Sequence, residues 1–178
     1  MNTALQSARS PLAIHREGGL VHLRLNRPES LNALDVPLAR ALAQAASELC
    51  ADPEVRAVVL GGVGRAFCSG GDLEQMKVDP VPVACDLIEA LHEAIEHLSS
   101  LRAPVLASVH GVVAGAGVSL LLACDLAIAA EGTRFNLAYV NVGASCDGGS
   151  SWSLPRVVGL RKAFEIGLLG EKIGRAHV

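Results

Sequence analysis

The chain has 178 residues and a net charge of −3, the size of one domain. Its 51% hydrophobic and 19% charged content excludes a disordered chain. The acidic balance and 3% aromatic content exclude a basic nucleic-acid face and a base-stacking platform.

Residues 12–16 and Leu20–Leu25 read as two short strands turning at Gly18-Gly19, with Val21, Leu23 and Leu25 on one buried face. A loop with Pro28 follows. Asp35 is the expected N-cap of a helix that tolerates Pro37 in its first turn and stops at Asp52-Pro53. Leu38, Leu42, Ala45 and Leu49 form its apolar stripe. Residues 55–60 read as a strand and 61–71 as a glycine-rich loop. A second amphipathic helix is expected over 83–98, carrying Leu87, Leu91, Ile95 and Leu98 on one face. The strand Val105–Val109 follows Pro104. A second glycine-rich segment, 111–117, leads into a short helix near 118–123 and a strand over 126–130. After a loop with Gly143, Gly148 and Gly149, a last helix is expected around Leu160–Leu169. Strands alternating with helices indicate an α/β protein with a largely parallel sheet.

The apolar stretch over 112–130 contains Ser119 and Asp125 and is broken by glycines, so it reads as core and no membrane partner is expected. No secretory signal is expected from the first residues. Five cysteines, Cys50, Cys68, Cys85, Cys124 and Cys146, lack paired spacing and read as reduced thiols of a cytoplasmic protein. His92 and His97 lie five apart on the second helix, about 140° round its axis, so they cannot share one metal. No metal site is expected. Gly115-Ala116-Gly117 lacks the third glycine and downstream acid of a dinucleotide fingerprint.

Both glycine loops follow strands and precede helices, where free backbone N–H groups favour negative charge. The first reads Arg65-Ala66-Phe67-Cys68-Ser69-Gly70-Gly71-Asp72-Leu73. The second reads His110-Gly111-Val112-Val113-Ala114-Gly115-Ala116-Gly117-Val118-Ser119 and continues to Ala123-Cys124-Asp125-Leu126. Upstream lie Asn26-Arg27-Pro28 and Leu31-Asn32-Ala33-Leu34. In this order and spacing the three resemble signatures of the crotonase (enoyl-CoA hydratase/isomerase) family, over residues 12 to 169.

The resemblance implies a crotonase-like α/β spiral of ββα units, here with its C-terminal helical region missing. It implies that the amides of Gly71 and Ala116 bind a thioester oxygen and stabilise an enolate. It implies contacts to an acyl-CoA thioester from Pro28, Leu31, Ala66, Cys68, Ser69, Gly70, Asp72, Leu73, Gly115, Gly117, Ser119, Tyr139 and Val142. Asp72 also reads as an N-cap and Asp125 as structural. Coenzyme A is then part of the substrate and no separate cofactor is expected. A homotrimer or dimer of trimers is the implied full-length assembly, and fatty acid or aromatic compound degradation the implied setting.

The two glutamates of a hydratase with this pattern fall on Ser119 and Tyr139, and neither is a carboxylate. Asp147 lies instead in Gly143-Ala144-Ser145-Cys146-Asp147-Gly148-Gly149. That stretch is similar to family isomerases of the 1,2-epoxyphenylacetyl-CoA isomerase type, whose single aspartate falls here. One carboxylate can take a proton from one carbon and return it to another. The apolar neighbours Val142 and Trp152 are expected to favour it as a base. A 4-chlorobenzoyl-CoA dehalogenase resemblance is the alternative, with Asp147 as nucleophile, His92 as the helix histidine and Tyr139 at the pocket tryptophan; there Gly71 mismatches an aromatic residue. A further alternative is a weakly active hydratase or a CoA-thioester-binding homologue. Residues 1–170 are expected to be an incomplete acyl-CoA-binding core. Residues 171–178, which resemble a translated adapter read, are expected to be an artificial tail with the apolar surface before it left uncovered.

Overall fold

The computed structural model describes residues 10–77, 79–170 and 173. β1 (Leu12–Glu17) and β2 (Leu20–Leu25) form an antiparallel hairpin. Gly18 closes it at φ +60°, a backbone region cheap for glycine alone. α1 (Val36–Ala51) follows, capped as expected: Asp35 accepts a hydrogen bond from the Leu38 N–H at 2.8 Å. Then come β3 (Ala57–Gly62), the single turn α2 (Leu73–Met76), α3 (Pro80–Ser100), β4 (Val105–Val109) and β5 (Val112–Ala114). α4 (Ala116–Leu122), β6 (Leu126–Ala129), β7 (Arg134–Asn136), a 3-10 turn over Tyr139–Val142, α5 (Ser150–Val158) and α6 (Leu160–Leu169) complete the order.

One sheet runs β1-β2-β3-β4-β6, parallel throughout except for the opening hairpin. A small parallel pair, β5-β7, stands apart from it. Parallel neighbours need crossovers, and α1 and α3 supply two of them while packing on each other. The main core lies beneath them. Leu23 and Leu25 of β2, Leu60 of β3, Leu38 and Leu42 of α1 and Leu91 and Leu98 of α3 are at most 2% exposed, each worth roughly 1.5–3 kcal/mol of burial. Strand, helix and parallel-sheet order agree with the expected α/β spiral.

Four expectations shift. β3 begins at Ala57 and runs into Gly61 and Gly62, which read as loop. Those residues stay extended because the loop folds back over them: a Cβ on Gly62 would lie 2.6 Å from the Phe67 carbonyl oxygen. α3 begins three residues earlier than expected, at Pro80, whose missing N–H suits a first turn. β5 and β7 have three residues each, too short for an alternating pattern to stand out. α5 falls in a stretch read as loop, behind Gly148 and Gly149 and with Pro155 inside it.

β6 is exposed along its length, with Leu126 63% and Ile128 60% exposed, and Phe164 and Leu168 of α6 also face outward. From the stretch expected to be a tail only Ile173 is among the described residues. It exchanges two backbone hydrogen bonds with Phe135 of β7. Among the described residues no helix is long and apolar enough to cross a membrane, and all five cysteines are free.

Candidate active site

The two glycine strips and the loop over residues 138–147 build one wall. Asn32 is fully buried and pins the first of them. Its Oδ1 accepts from the Arg27 N–H at 2.8 Å, and its Nδ2 donates to the carbonyls of Val63 (2.9 Å) and Ala66 (2.8 Å). The residues before the first glycine strip are thereby tied to the end of β3. The strip itself runs beside the second glycine segment. Phe67 N–H donates to the His110 carbonyl, Cys68 N–H to Val112, and Ala114 N–H back to Cys68. The two backbones approach closely: a Cβ on Gly117 would sit 2.6 Å from the Cys68 carbonyl oxygen, and one on Gly70 3.1 Å from that of Ala114. Only glycine permits such an approach.

Gly71 pairs with Leu34 in a parallel bridge. The Gly70 carbonyl and the Asp72 N–H make its hydrogen bonds, with Leu34 N–H and C=O respectively. Backbone groups alternate in direction along an extended strip, so the Gly71 N–H points away from Leu34. No described acceptor takes a hydrogen bond from it, and none takes one from Ala116 N–H at the start of α4. Both residues line one cavity of about 500 Å³.

Ser69, Gly70, Leu73, Gly115, Tyr139, Val142 and Asp147 line the same cavity. Asp147 is the one acidic residue on that wall among the described residues. The cavity has a second side that sequence reasoning missed: Met76 after α2 begins, and Ala84, Leu87, Ile88 and Leu91 of α3. Leu87 and Leu91 were expected as core, and they are; the same apolar stripe also faces the cavity. The wall is completed by Ala138, Gly143, Ala144 and Ser145.

Other expected contact residues lie off this wall. Ala66 and Cys68 are 1% and 0% exposed, held between the strips. Burial pushes the Cys68 thiol up to about 12, so it offers no thiolate. Gly117 packs on Cys68. Pro28 lines a separate surface depression with Ser10 and Glu29. Leu31 takes a left-handed backbone at φ +55° and accepts the Ser69 N–H. Asp72 turns inward: it caps α2 through Gln75 N–H and takes two hydrogen bonds from the Arg27 guanidinium at 3.0 Å. Asp125 is structural as expected, its carboxylate accepting the Val105 N–H at 2.8 Å.

Around Asp147 the contacts are dense. The Tyr139 hydroxyl donates to Asp147 Oδ1. Ser119, fully buried, donates to the Asp147 carbonyl at 3.0 Å and lies 3.2 Å from the Tyr139 hydroxyl. Ser150 donates to the same carbonyl at 2.8 Å. Burial first, then the Asp147 carboxylate accepting its proton, push the Tyr139 phenol well above its ordinary value. It therefore acts as a donor and not as a base. Burial also raises the neighbouring Cys146 thiol. The expected apolar flank is half right. Val142 lines the cavity, whereas Trp152 is 66% exposed and stacks with Arg156, whose guanidinium lies 3.1 Å from its ring centre. α5 turns that ring outward. His92 lies off the wall, and its Nε2 accepts the Gly148 N–H at 3.2 Å. Among the described residues no cluster of three or more His, Cys, Asp or Glu could hold a metal ion.

Comparison with known proteins gives the family of the chain. The chain matches the enoyl-CoA hydratase/isomerase family profile over residues 15–178. It is 39% identical to 1,2-epoxyphenylacetyl-CoA isomerase of Escherichia coli (strain K12), covering 92% of this chain and 64% of that protein. It is 33% identical to 4-chlorobenzoyl coenzyme A dehalogenase-2 of an Arthrobacter species, covering 92% of this chain and 60% of that protein. The crystal structure of an enoyl-CoA hydratase from Mycobacterium avium subsp. paratuberculosis K-10 superposes with a TM-score of 0.86 at 35% identity, over 94% of this chain and 67% of that one. The chain thus spans 60–64% of the length of these two curated relatives. By profile, relatives and fold, it belongs to the enoyl-CoA hydratase/isomerase family.

Proposed function

We propose that the protein carrying this chain is an acyl-CoA thioester enzyme that moves a double bond along the acyl group. The supporting observation is the single carboxylate, Asp147, on the wall that also bears Gly71 and Ala116. In this reading the two unpaired N–H groups receive the thioester oxygen. Asp147 removes a proton from the carbon next to the thioester, and the resulting charge spreads into a dienolate whose oxygen rests on the two donors. The protonated Asp147 then delivers the proton two carbons further on. Backbone donors suit this work because they are fixed before the charge develops. No separate cofactor is required, since coenzyme A arrives with the substrate. The apolar side of the cavity, from Leu73 to Leu91, receives the acyl group. A trimer or dimer of trimers is the assembly that goes with this reading.

Hydration by two acids is disfavoured by the same count of carboxylates, because Ser119 and Tyr139 occupy the glutamate positions and Tyr139 holds its proton. The reading is tested with a 3-enoyl-CoA in D₂O. The expected product is the 2-enoyl-CoA, carrying deuterium at the distal carbon to the extent that protonated Asp147 exchanges with solvent before delivery, and a 3-hydroxyacyl product without isomerisation contradicts it.

A second reading is favoured by the likeness to the dehalogenases. Asp147 would attack the halogen-bearing carbon of an aryl acyl group, halide would leave with its bonding pair, and water would hydrolyse the resulting ester at the Asp147 carboxyl carbon. Such a release needs a base. The histidine candidate, His92, has Nε2 engaged by Gly148 N–H, which weighs against this route. A single turnover of an aryl-CoA in ¹⁸O-water separates the two, because the nucleophilic route leaves label in Asp147.

A further inference from the structure

We propose that Tyr139 is a positioning residue that fixes which oxygen of Asp147 faces the substrate. The inference rests on Asp147 being the acid/base group and adds the device that aims it.

The backbone around Asp147 is already immobilised. Its carbonyl accepts from Ser119 and Ser150 hydroxyls at 3.0 and 2.8 Å, and the next amide, Gly148 N–H, donates to His92 at 3.2 Å. What remains free is rotation of the carboxylate about its side-chain bonds. Among the described residues only the Tyr139 hydroxyl donates to that carboxylate. It takes Oδ1 and leaves Oδ2 as the oxygen for proton transfer. Hydrogen bonds to a charged acceptor are stronger than neutral ones, so the pair resists rotation.

Tyr139 is itself well anchored. Its hydroxyl lies 3.2 Å from the buried Ser119 hydroxyl, and the residue opens the 3-10 turn Tyr139–Val142. The preceding Ala138 sits at φ +60°, an uncommon conformation for a residue with a side chain that costs about 1–2 kcal/mol. The Asn136 side chain, accepting the Ala138 N–H at 2.8 Å, helps hold it there. Such strain is retained where the surroundings over-determine it. The raised phenol value keeps the donor protonated across the working range.

An isomerase has a particular need for this device. One carboxylate must reach two carbons, first to take a proton and then to give it back elsewhere. An aspartate free to rotate returns the proton to its origin more often. Tyr139 therefore governs the split between return and forward transfer as well as the rate.

The test is Tyr139→Phe in the protein that carries this chain, assayed with a 3-enoyl-CoA in D₂O. Misplacement of a reacting group costs roughly 10²-fold, so kcat is expected to fall by about 10- to 100-fold with KM changed by less than about twofold. Deuterium washed into recovered substrate should rise relative to deuterium in product. Combined with Asp147→Asn, the two losses should not multiply, because both act through one carboxylate. Unchanged kcat and unchanged partition in Tyr139→Phe, with Asp147→Asn inactive, overturn the positioning role alone. Full activity of Asp147→Asn overturns the acid/base reading beneath it. Should Tyr139→Phe fail to fold, 3-fluorotyrosine at position 139 replaces it. The more acidic phenol holds the carboxylate more firmly, so deuterium washed into recovered substrate falls relative to deuterium in product; an unchanged partition overturns the proposal.

Discussion

Asp147→Asn is expected to lower kcat by roughly 10²–10⁴-fold, the contribution of a positioned acid or base, while thioester affinity changes by less than about twofold. The substitution keeps the size and shape of the side chain and can still accept the Tyr139 hydroxyl. It removes only the ability to hold and release a proton. No other group on the cavity wall can take over. On the wall Tyr139 is a hydroxyl held protonated by burial; Ser119, expected as a contact residue, is fully buried behind the wall, and the nearby Cys146 thiol is shifted away from ionisation. A loss confined to kcat identifies an interaction made only during the reaction. Steady-state kinetics with a 3-enoyl-CoA, alongside binding of the product thioester by calorimetry, provides the check. Retained turnover removes Asp147 from the mechanism.

Arg27→Leu is expected to destabilise the fold by roughly 3–5 kcal/mol, the loss seen when one partner of a buried ion pair is removed. The Arg27 guanidinium joins three segments. Nε meets Asp35 at 3.1 Å, where that carboxylate caps α1, and the terminal nitrogens meet Asp72 at 3.0 Å, where it caps α2. Nη1 also donates to the Ala33 carbonyl. The side chains of Asp35 and Asp72 are only 9% and 12% exposed, so leucine strands two carboxylates away from water. Arg27→Lys restores only part of the loss, since an ammonium cannot match a planar guanidinium that bridges two acids. Urea denaturation measures the effect through the transition midpoint. A midpoint within about 0.5 kcal/mol of the parent, the range of ordinary surface substitutions, contradicts it. The consequence reaches the cavity as well, because Asp72 directly follows Gly71. Slack in Asp72 loosens the donor that precedes it, and kcat in the surviving folded protein should fall with it.

Much of this was legible in the chain. Local signals held where the deciding contact is also local. Asp35 caps α1 through an N–H three residues ahead, and Asp52 ends it. Gly18 turns the first hairpin, and Leu160–Leu169 is the helix expected there. The glycine strips were legible for a different reason. Two backbones packed within van der Waals contact leave no room for a Cβ, and the sequence records that as Gly70 and Gly117.

What was hidden depends on partners distant in sequence. β5 and β7 form because Val112–Ala114 meets Arg134–Asn136 in parallel, and three-residue strands carry no period of their own. α5 was masked by Gly148 and Gly149 before it and Pro155 within it, residues that locally argue for a loop. Trp152 was expected beside Asp147 because it is near in sequence; the helix turns it to solvent and Arg156 covers it. The bond from Tyr139 to Asp147 spans a 3-10 turn and the left-handed Gly143 that ends it, and no spacing rule announces it. Ser119 and Tyr139 were read as the places where a hydratase loses its glutamates. They turn out to brace the remaining acid. The apolar side of the cavity was misjudged only in part, since one stripe on α3 serves core and cavity at once.

The most direct measurement is a crystal structure of the Asp147→Asn protein with a 3-enoyl-CoA bound. The thioester oxygen should lie about 2.7–3.1 Å from the backbone nitrogens of both Gly71 and Ala116, the spacing of working oxyanion donors. The residue 147 side chain should face the acyl carbons on either side of the migrating double bond. An oxygen that meets neither amide, or an acyl chain threaded away from residue 147, contradicts the account.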